Sequence, residues 1–249
     1  MIKKVVGLIP VRIGSQRLPA KALLPINNIP LILHVYNRAK LSKKLNDVYV
    51  CCDSRKIYKI IKDNGGRAIM TSRSHKNGTE RIAQAYKLLK KKYDFVLDIQ
   101  GDEPLIDPKH IDYVIDFHLK NFKYDIILPS IKIKKTFNEN IIKIVKDINN
   151  NVLYMSRATI PFIFKKSHKY LNKHLSIISF KPKALMRYSR SKQTELEKVE
   201  SIELLRALEI GLKIKSPNLK GDSFSVDVAE DYTRAKSRMN KDKFFELYK

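Results

Sequence analysis

Three carboxylates stand close together in the stretch VLDIQGDEPLI, residues 96–106. Apolar residues alternate with Asp98 and Gln100, which predicts a strand ending near residue 100. Asp102 and Glu103 then lie beyond the carboxyl end of that strand, the edge at which open parallel sheets bind ligands. A carboxylate there suits Mg²⁺, which takes one or two protein oxygens together with phosphates. Glu103 equally fits a loop-ordering role and Asp98 a structural one, so Asp102 is the candidate metal ligand.

A basic loop, PVRIGSQRLPAKALLPI at 10–26, follows the first predicted strand. Several fixed cations and a close backbone approach are what a triphosphate requires. The residues of the loop that suit this role are Arg12, Gly14, Ser15, Arg17 and Lys21. The loop matches neither the Walker phosphate-binding pattern nor the Rossmann glycine fingerprint. On charge alone, a solvated basic turn is an equal alternative.

A third acidic segment is DSFSVDVAEDY at 222–232. Asp227 stands just before a predicted helix, and Glu230 follows three residues later, which is the spacing of a helix N-cap. A plain N-cap is therefore one interpretation. The other is that Asp227 supplies a second metal carboxylate beside Asp102.

The elements that must position these residues alternate in the first half of the chain. Apolar runs predict strands, and amphipathic stretches with Ser, Asp or Pro at their starts predict helices. The predicted strands are 4–10, 47–53, 68–71, 94–100 and 125–133, and the predicted helices are 30–41, 54–66, 79–93 and 107–120. This order indicates an α/β fold with a mainly parallel sheet and helices on both faces.

The pattern changes after about residue 134. A hairpin over 141–157, around Asn149–Asn151, and a strand at 173–181 are expected. We interpret 134–182 as a β-rich insertion that extends the sheet and offers a dimer contact, within a single domain spanning 1–249. Afterwards the chain returns to a helix, a strand and a helix, at 200–211, 212–219 and 229–241.

The overall composition limits the classes of protein. With 43% hydrophobic residues the chain can bury a core, and its 50 basic against 25 acidic residues give a formal charge of +25. Lysines occur throughout the chain, and no nucleic-acid recognition module or membrane-spanning window is visible, so nucleic-acid partners are not expected. A non-enzymatic polyanion-binding protein remains a remote alternative. The adjacent Cys51 and Cys52 suit a reducing compartment, which predicts the cytoplasm.

Five stretches together resemble the CMP-Kdo synthetase family, the 3-deoxy-D-manno-octulosonate cytidylyltransferases. They are IPVRIGSQRLPAKAL, GTERIAQA, DIQGDEPLI, SRATIP and SVDVAEDY, they follow the family's order, and they span nearly the whole chain. The resemblance implies a Rossmann-like nucleotidyltransferase fold of the glycosyltransferase-A type, with a mixed sheet flanked by helices, in a homodimer. It also implies that CTP and Mg²⁺ activate a 3-deoxy-2-ulosonic acid as a CMP-sugar for bacterial surface polysaccharide, including lipopolysaccharide.

The resemblance also implies roles for individual residues. Lys21, Arg12 and Asp102 would act in catalysis, and Asp102 and Asp227 would bind Mg²⁺. The residues implied to bind the nucleotide are Pro10, Arg12, Gly14, Ser15, Arg17, Lys21, Arg73, Gly78, Thr79 and Gln100. The residues implied to line the sugar-acid pocket are Gln100, Arg157, His174 and Glu203. No dedicated general base is evident.

This sequence departs from the family's pattern at three of these motifs. Ala20 replaces a Gly beside Lys21, Ile178 replaces a Tyr, and Leu204 stands where a Gln is usual. The last two remove polar contacts to the sugar. A site built to pair a substrate hydroxyl binds poorly a substrate that lacks it. Conversely, a site that lacks the polar partners predicts a sugar with an altered substituent, such as 8-amino-Kdo. A nucleotidyltransferase for another sugar acid or a sugar phosphate remains the alternative.

Overall fold

The computed structural model describes residues 3–15, 17–164 and 169–249. The elements of the first half are β1 (Val5–Val11), β2 (Pro25–Ile26), β3 (Ile29–Pro30), α1 (Leu31–Lys40), β4 (Asp47–Cys52), α2 (Arg55–Asp63), β5 (Ala68–Met70), α3 (Gly78–Leu88), β6 (Phe95–Ile99), α4 (Pro108–Lys120) and β7 (Ile126–Ile127). Those of the second half are β8 (Ser130–Lys134), β9 (Lys143–Lys146), β10 (Val152–Ser156), β11 (Tyr170–His174), β12 (Ile177–Phe180), α5 (Pro182–Arg190), α6 (Glu195–Glu200), α7 (Glu203–Glu209), β13 (Ile214–Lys215), β14 (Asn218–Leu219) and α8 (Ala229–Met239).

The main sheet has seven strands in the order β13-β7-β12-β6-β1-β4-β5. Strand β1 lies inside the sheet and pairs in parallel with β4 and β6, while β12 runs antiparallel between β6 and β7. The predicted mixed sheet flanked by helices is confirmed. The parallel pairing places the carboxyl ends of β1 and β6 side by side, so the basic loop and the QGDEP loop meet at one edge.

Alternation along β1 divides the core between the two faces of the sheet. Val5 and Ile9 pack in one cluster with residues of α1, α2 and α4, whereas Val6 and Leu8 pack in a second cluster with residues of α3, α5 and α7. Successive strand side chains point to opposite faces, and here both faces are covered. This explains why β1 is apolar throughout, and it confirms the prediction of helices on both faces.

The second half differs from the predicted extension of the main sheet. Strands β8 to β11 and β14 form a separate five-stranded sheet in the order β10-β9-β11-β8-β14. The predicted strand 125–133 divides at Pro129 between the two sheets, and the predicted strand 212–219 divides at Pro217. Proline has no N–H for the ladder, so each of these positions suits a change of sheet. The predicted strand 173–181 likewise divides between β11 and β12.

The predicted hairpin over 141–157 is confirmed, since β9 and β10 pair antiparallel and Asn150 in the turn has a positive φ of 62°. The predicted helix 200–211 is the shorter α7, and Ser201, with φ 52°, separates it from α6. Helices α5 and α6 were not predicted. None of the helices in the described part of the chain is both long and apolar enough to cross a membrane.

Candidate active site

Two adjoining cavities open at the carboxyl ends of β1 and β6. The first has a volume of about 570 Å³ and the second about 270 Å³. Residues common to both walls are Arg17, Gln100, Asp102, Ser201, Glu203 and Asp227. A ligand in one cavity would therefore face a ligand in the other across the Asp102–Asp227 boundary.

A lysine ammonium lies between two carboxylates at this boundary. Lys21 Nζ donates to Asp102 Oδ2 at 2.9 Å and to Asp227 Oδ1 at 3.2 Å. Burial alone would lower the pKa of Lys21, but the charges and hydrogen bonds of both carboxylates outweigh it and raise that pKa. Burial acts against Asp227 as well, yet Lys21, Ser225 and Arg17 hold its pKa below the ordinary value. Lys21 and Asp227 therefore both keep their charges at the junction of the cavities.

Backbone contacts bring Asp227 beside Asp102. Val226 N donates to Asp102 O at 2.9 Å, and this hydrogen bond holds the 222–228 segment beside the QGDEP loop. Asp227 is not the N-cap of α8. Val228 occupies that position, and the Asp231 carboxylate accepts from the backbone N–H groups of Asp227 and Val228 at 3.0 and 3.2 Å. The N-cap interpretation is therefore wrong, and the Asp227 side chain faces Lys21 instead.

Glu103 has the loop-ordering role. It is buried and accepts a hydrogen bond from the Ser223 hydroxyl, which ties the QGDEP loop to the 222–228 segment. Lys173 Nζ donates to the carbonyl of the same Ser223 at 2.5 Å. These contacts stabilise the arrangement of Asp102 and Asp227 and leave Glu103 outside both cavity walls.

The first cavity is lined by the basic loop and the residues before α3. Asp53 orders the loop, since its Oδ1 accepts from Ile13 N at 3.0 Å while its Oδ2 pairs with Arg81 at 3.1 Å. Gly101 allows the close approach, because a Cβ at this position would stand 2.7 Å from Pro10 O. Predicted nucleotide residues that line this cavity are Pro10, Arg12, Ser15, Arg17, Lys21, Gly78 and Gln100.

Three predicted nucleotide residues lie outside the wall of the first cavity. Gly14 is exposed on the basic loop, and Arg73 is exposed with its Nε donating to Asp53 O at 3.2 Å. Thr79 is fully buried, and its backbone N–H donates to Glu203 Oε2 at 3.0 Å. Thr79 thus contacts a residue common to both cavities without lining either.

The sequence analysis also missed residues of both walls. In the first cavity these include His75, Lys76, Asn77, Arg81, Gln193, Glu197 and Ser201, and in the second they include Asn140, Ser176 and Ser225. The group at 75–77 follows β5 and precedes α3, so the rule for the carboxyl edge of a sheet could have found it. Gln193 and Glu197 carried no such signal, because the α5–α6 region was not predicted.

The second cavity has a polar rim and an apolar wall. Gln100, Arg157, His174 and Glu203, the predicted sugar-pocket residues, all line it. The apolar part of the wall is formed by Ile142, Met155, Ile178, Ile202 and Leu204. Burial, with help from the charge of Lys173, lowers the pKa of His174 to about 4, so its imidazole is neutral at physiological pH.

Asp98 lies beneath this site and is not part of it. It is fully buried, and Gln100 Nε2 donates to its Oδ1 at 3.1 Å. Burial and the nearby charge of Glu203 raise the pKa of Asp98 well above the ordinary value. The buried Asp98 carboxyl holds Gln100, which lines both cavities, and this agrees with the structural interpretation of Asp98.

Asp102 and Asp227 are the carboxylates of this site that could hold a metal ion. No group of three or more His, Cys, Asp or Glu side chains able to hold a metal occurs within residues 3–15, 17–164 and 169–249. The two aspartates do converge on one cation, since both lie within 3.2 Å of Lys21 Nζ. Two carboxylates beside a cavity lined by Arg12, Arg17 and Lys21 fit an ion that completes its shell with oxygens of a bound ligand and of water.

Comparison with known proteins supports the same assignment. The cytidylyltransferase family model matches residues 6–214. The chain is 41% identical to the 3-deoxy-manno-octulosonate cytidylyltransferase of Thermodesulfovibrio yellowstonii, with 94% of this chain and 97% of the relative covered. It is 40% identical to the 8-amino-3,8-dideoxy-manno-octulosonate cytidylyltransferase of Shewanella halifaxensis, with 93% and 97% covered.

The fold has a close counterpart among solved structures. It superposes with a TM-score of 0.89 on CMP:2-keto-3-deoxy-manno-octonic acid synthetase complexed with CTP, at 28% identity, covering 96% of this chain and 99% of the other. The family match spans most of the chain, and the cavities, the basic loop and the two aspartates lie at the same edge of the sheet. The protein therefore belongs to the cytidylyltransferase family.

Proposed function

We propose that this enzyme transfers CMP from CTP to the anomeric hydroxyl of a 3-deoxy-2-ulosonic acid and releases pyrophosphate. Kdo and 8-amino-Kdo are the substrates named for the relatives described above. The observation that carries the proposal is the pair of cavities that meet at Lys21, Asp102 and Asp227. The first has the cations that a triphosphate requires, and the second has the polar rim that a sugar acid requires.

The residues of the chain act mainly by positioning and by charge. Arg12, Arg17 and Lys21 would hold the triphosphate and stabilise the negative charge that grows on it as pyrophosphate leaves. Arg157 would draw the sugar carboxylate into the second cavity. Placing the anomeric hydroxyl at the boundary of the cavities sets it beside the α-phosphorus, which lowers the entropic part of the barrier.

Asp102 and Asp227 are the residues that would hold Mg²⁺. The metal, when bound, would screen the phosphate charge and acidify the attacking hydroxyl. The two aspartates supply a site of matching charge on the boundary of the two cavities, where both substrates would meet. The ion pairs of Lys21 with both aspartates support a cation site at this position.

The apolar wall of the second cavity supports a modified sugar acid. Ile178 and Leu204 are both 3% exposed, and both line the second cavity. Neither side chain can pair a sugar hydroxyl, whereas the neutral His174 can accept or donate one hydrogen bond. The proposal therefore names 8-amino-Kdo as the preferred acid and Kdo as the runner-up, for a bacterial surface polysaccharide such as lipopolysaccharide.

A homodimer is part of the proposal. Phe137, Phe162, Phe164 and Tyr170 are exposed by 77%, 84%, 88% and 60%, and all belong to the 134–182 segment. Several large apolar side chains exposed within one segment are consistent with a protein–protein interface. A second copy of the chain covering them is the expected partner. The cytoplasm is the proposed location, because Cys51 and Cys52 are free, buried thiols.

Pyrophosphate release tests the function directly. The assay contains CTP and Mg²⁺ with Kdo, 8-amino-Kdo, a sialic acid or no sugar, and UTP replaces CTP in a parallel series. We expect turnover that requires both CTP and a 3-deoxy-2-ulosonic acid, with the highest kcat/KM for 8-amino-Kdo. A higher kcat/KM for Kdo would refute the preference, and turnover only with the sialic acid would refute the substrate class.

A further inference from the structure

Lys143 on β9 is a fully buried lysine that pairs with carbonyls instead of carboxylates. Its Nζ donates to Asn138 O at 2.9 Å and Ile141 O at 2.8 Å, and also to Arg157 O. No carboxylate of the described residues lies within ion-pair distance of it. The three N–H donors of an ammonium match the three carbonyls, so the charged form satisfies all of its hydrogen bonds here.

Each of these carbonyls belongs to a segment of the second cavity. The 138–141 segment contains Asn140, which lines the cavity and whose Oδ1 accepts from Arg17 at 3.0 Å. Ile142 follows in the same wall. Arg157 lies at the end of β10, on the other strand of the hairpin. Lys143 thus joins the two ends of the β9–β10 hairpin at the point where both enter the cavity wall.

The guanidinium of Arg157 depends on the same junction. Its Nε donates to Glu200 O at 2.9 Å, and its two terminal nitrogens donate to Glu139 O at 3.0 Å and Ser201 O at 3.2 Å. One of these acceptors, Glu139, lies inside the 138–141 segment that Lys143 holds. A displacement of this segment would therefore move Arg157 away from its position in the cavity.

We infer that Lys143 is a positioning residue that fixes Arg157 and Asn140 for the sugar acid, while it makes no contact with substrate itself. This inference rests on the proposed function, because it assigns the second cavity to the sugar acid. Burying an ammonium is unfavourable, and a role that was only structural could be served by an apolar side chain. The three carbonyls explain why lysine occupies this position.

The strand offers a matched control three residues later. Lys146 is half-buried, and its Nζ donates to Ser130 Oγ and Ser216 O, both at 3.0 Å, and to Asn218 Oδ1 at 2.7 Å. Burial lowers the pKa of Lys146 to about 8. None of these three acceptors lines either cavity. Lys146→Met therefore removes a comparable ammonium from the same sheet without affecting the sugar-acid wall.

The experiment compares wild type, Lys143→Met and Lys146→Met. KM for the ulosonic acid and kcat come from pyrophosphate release, the dissociation constant of CTP from calorimetry, and the folded fraction from thermal unfolding. We expect Lys143→Met to raise the KM for the sugar acid by about tenfold or more, since small misplacements of a binding group are costly. The dissociation constant of CTP should not change in Lys143→Met. Lys146→Met should leave both the KM for the sugar acid and the dissociation constant of CTP unchanged.

The outcomes separate the two proposals. An unchanged KM for the sugar acid in folded Lys143→Met overturns the positioning role and leaves the proposed function intact. Equal losses of sugar and CTP affinity, or the same rise of KM in Lys146→Met, overturn it as well, because they indicate general destabilisation. Absence of turnover by wild type with every ulosonic acid overturns the proposed function, and the role of Lys143 with it.

Discussion

Replacing Lys21 with methionine is the sharpest test of the boundary between the two cavities. The ammonium is 15% exposed and lies 2.9 and 3.2 Å from the two aspartates. At an effective dielectric constant of about 20, attractions over such distances are about 5–6 kcal/mol each before desolvation is counted. Lys21→Met removes both attractions and leaves two carboxylates facing each other.

The size of the effect on catalysis follows from what Lys21 would do with CTP bound. A fixed donor aimed at charge that develops in the transition state is worth about 3–4 kcal/mol, so kcat should fall roughly 100- to 1,000-fold. The affinity for Mg²⁺, in contrast to kcat, should not fall. With the competing ammonium gone, Asp102 and Asp227 should bind Mg²⁺ at least as tightly as in wild type.

Two measurements on the same preparations decide the matter. Pyrophosphate release under saturating substrates gives kcat, and titration calorimetry with Mg²⁺ gives the metal affinity. Asp102→Asn should lower both quantities. Lys44→Met is the control, since Lys44 pairs with Asp116 at 2.8 Å on the surface, where such a pair is worth at most about 1 kcal/mol. Near-normal kcat in Lys21→Met, or weaker Mg²⁺ binding than in wild type, would refute the reasoning.

The remaining predictions concern stability and assembly. Burial lowers the pKa of His118 to about 4. Between about pH 6.5 and pH 4 its imidazole is therefore protonated in the unfolded chain but neutral in the folded protein. The free energy of unfolding should therefore fall by on the order of 3 kcal/mol between pH 6.5 and 4, and His118→Gln should flatten that slope in urea titrations; parallel slopes would contradict it. Arg206→Met should lower the free energy of unfolding in denaturant by about 3–5 kcal/mol, because it leaves the buried Glu197 without its ion-pair partner at 2.5 Å. Adding Glu197→Gln should restore part of the loss. No recovery of stability in the double variant would count against this pairing. Phe162→Ser with Phe164→Ser should give a monomer by light scattering, and a persistent dimer would show that the interface lies elsewhere.

Local patterns in the sequence account for much of the fold. The alternation of apolar strands with capped helices gave the central sheet, and Ser54 and Asp107 do accept the expected N-cap hydrogen bonds from Lys56 N and Lys109 N. These features depend on neighbours within four residues, so a short window contains the information. The division of the strands between two large sheets could not be predicted in this way. The chain changes sheets at Pro129 and Pro217, and the strands that pair are distant in sequence.

The site shows the same division. The sequence by itself determined which groups carry charge, namely the basic loop and the carboxylates Asp102 and Asp227, because residue type and position after a strand are local properties. Only the tertiary structure decided that Lys21 lies between those aspartates and that Lys143 joins the two ends of a hairpin behind Arg157. It also decided that Asp98 and Glu103 are buried behind the site, where Asp98 holds Gln100 and Glu103 holds Ser223. Those contacts join residues up to about two hundred positions apart, and their geometry depends on how the seven-stranded sheet, the five-stranded sheet and the helices pack in the described part of the chain.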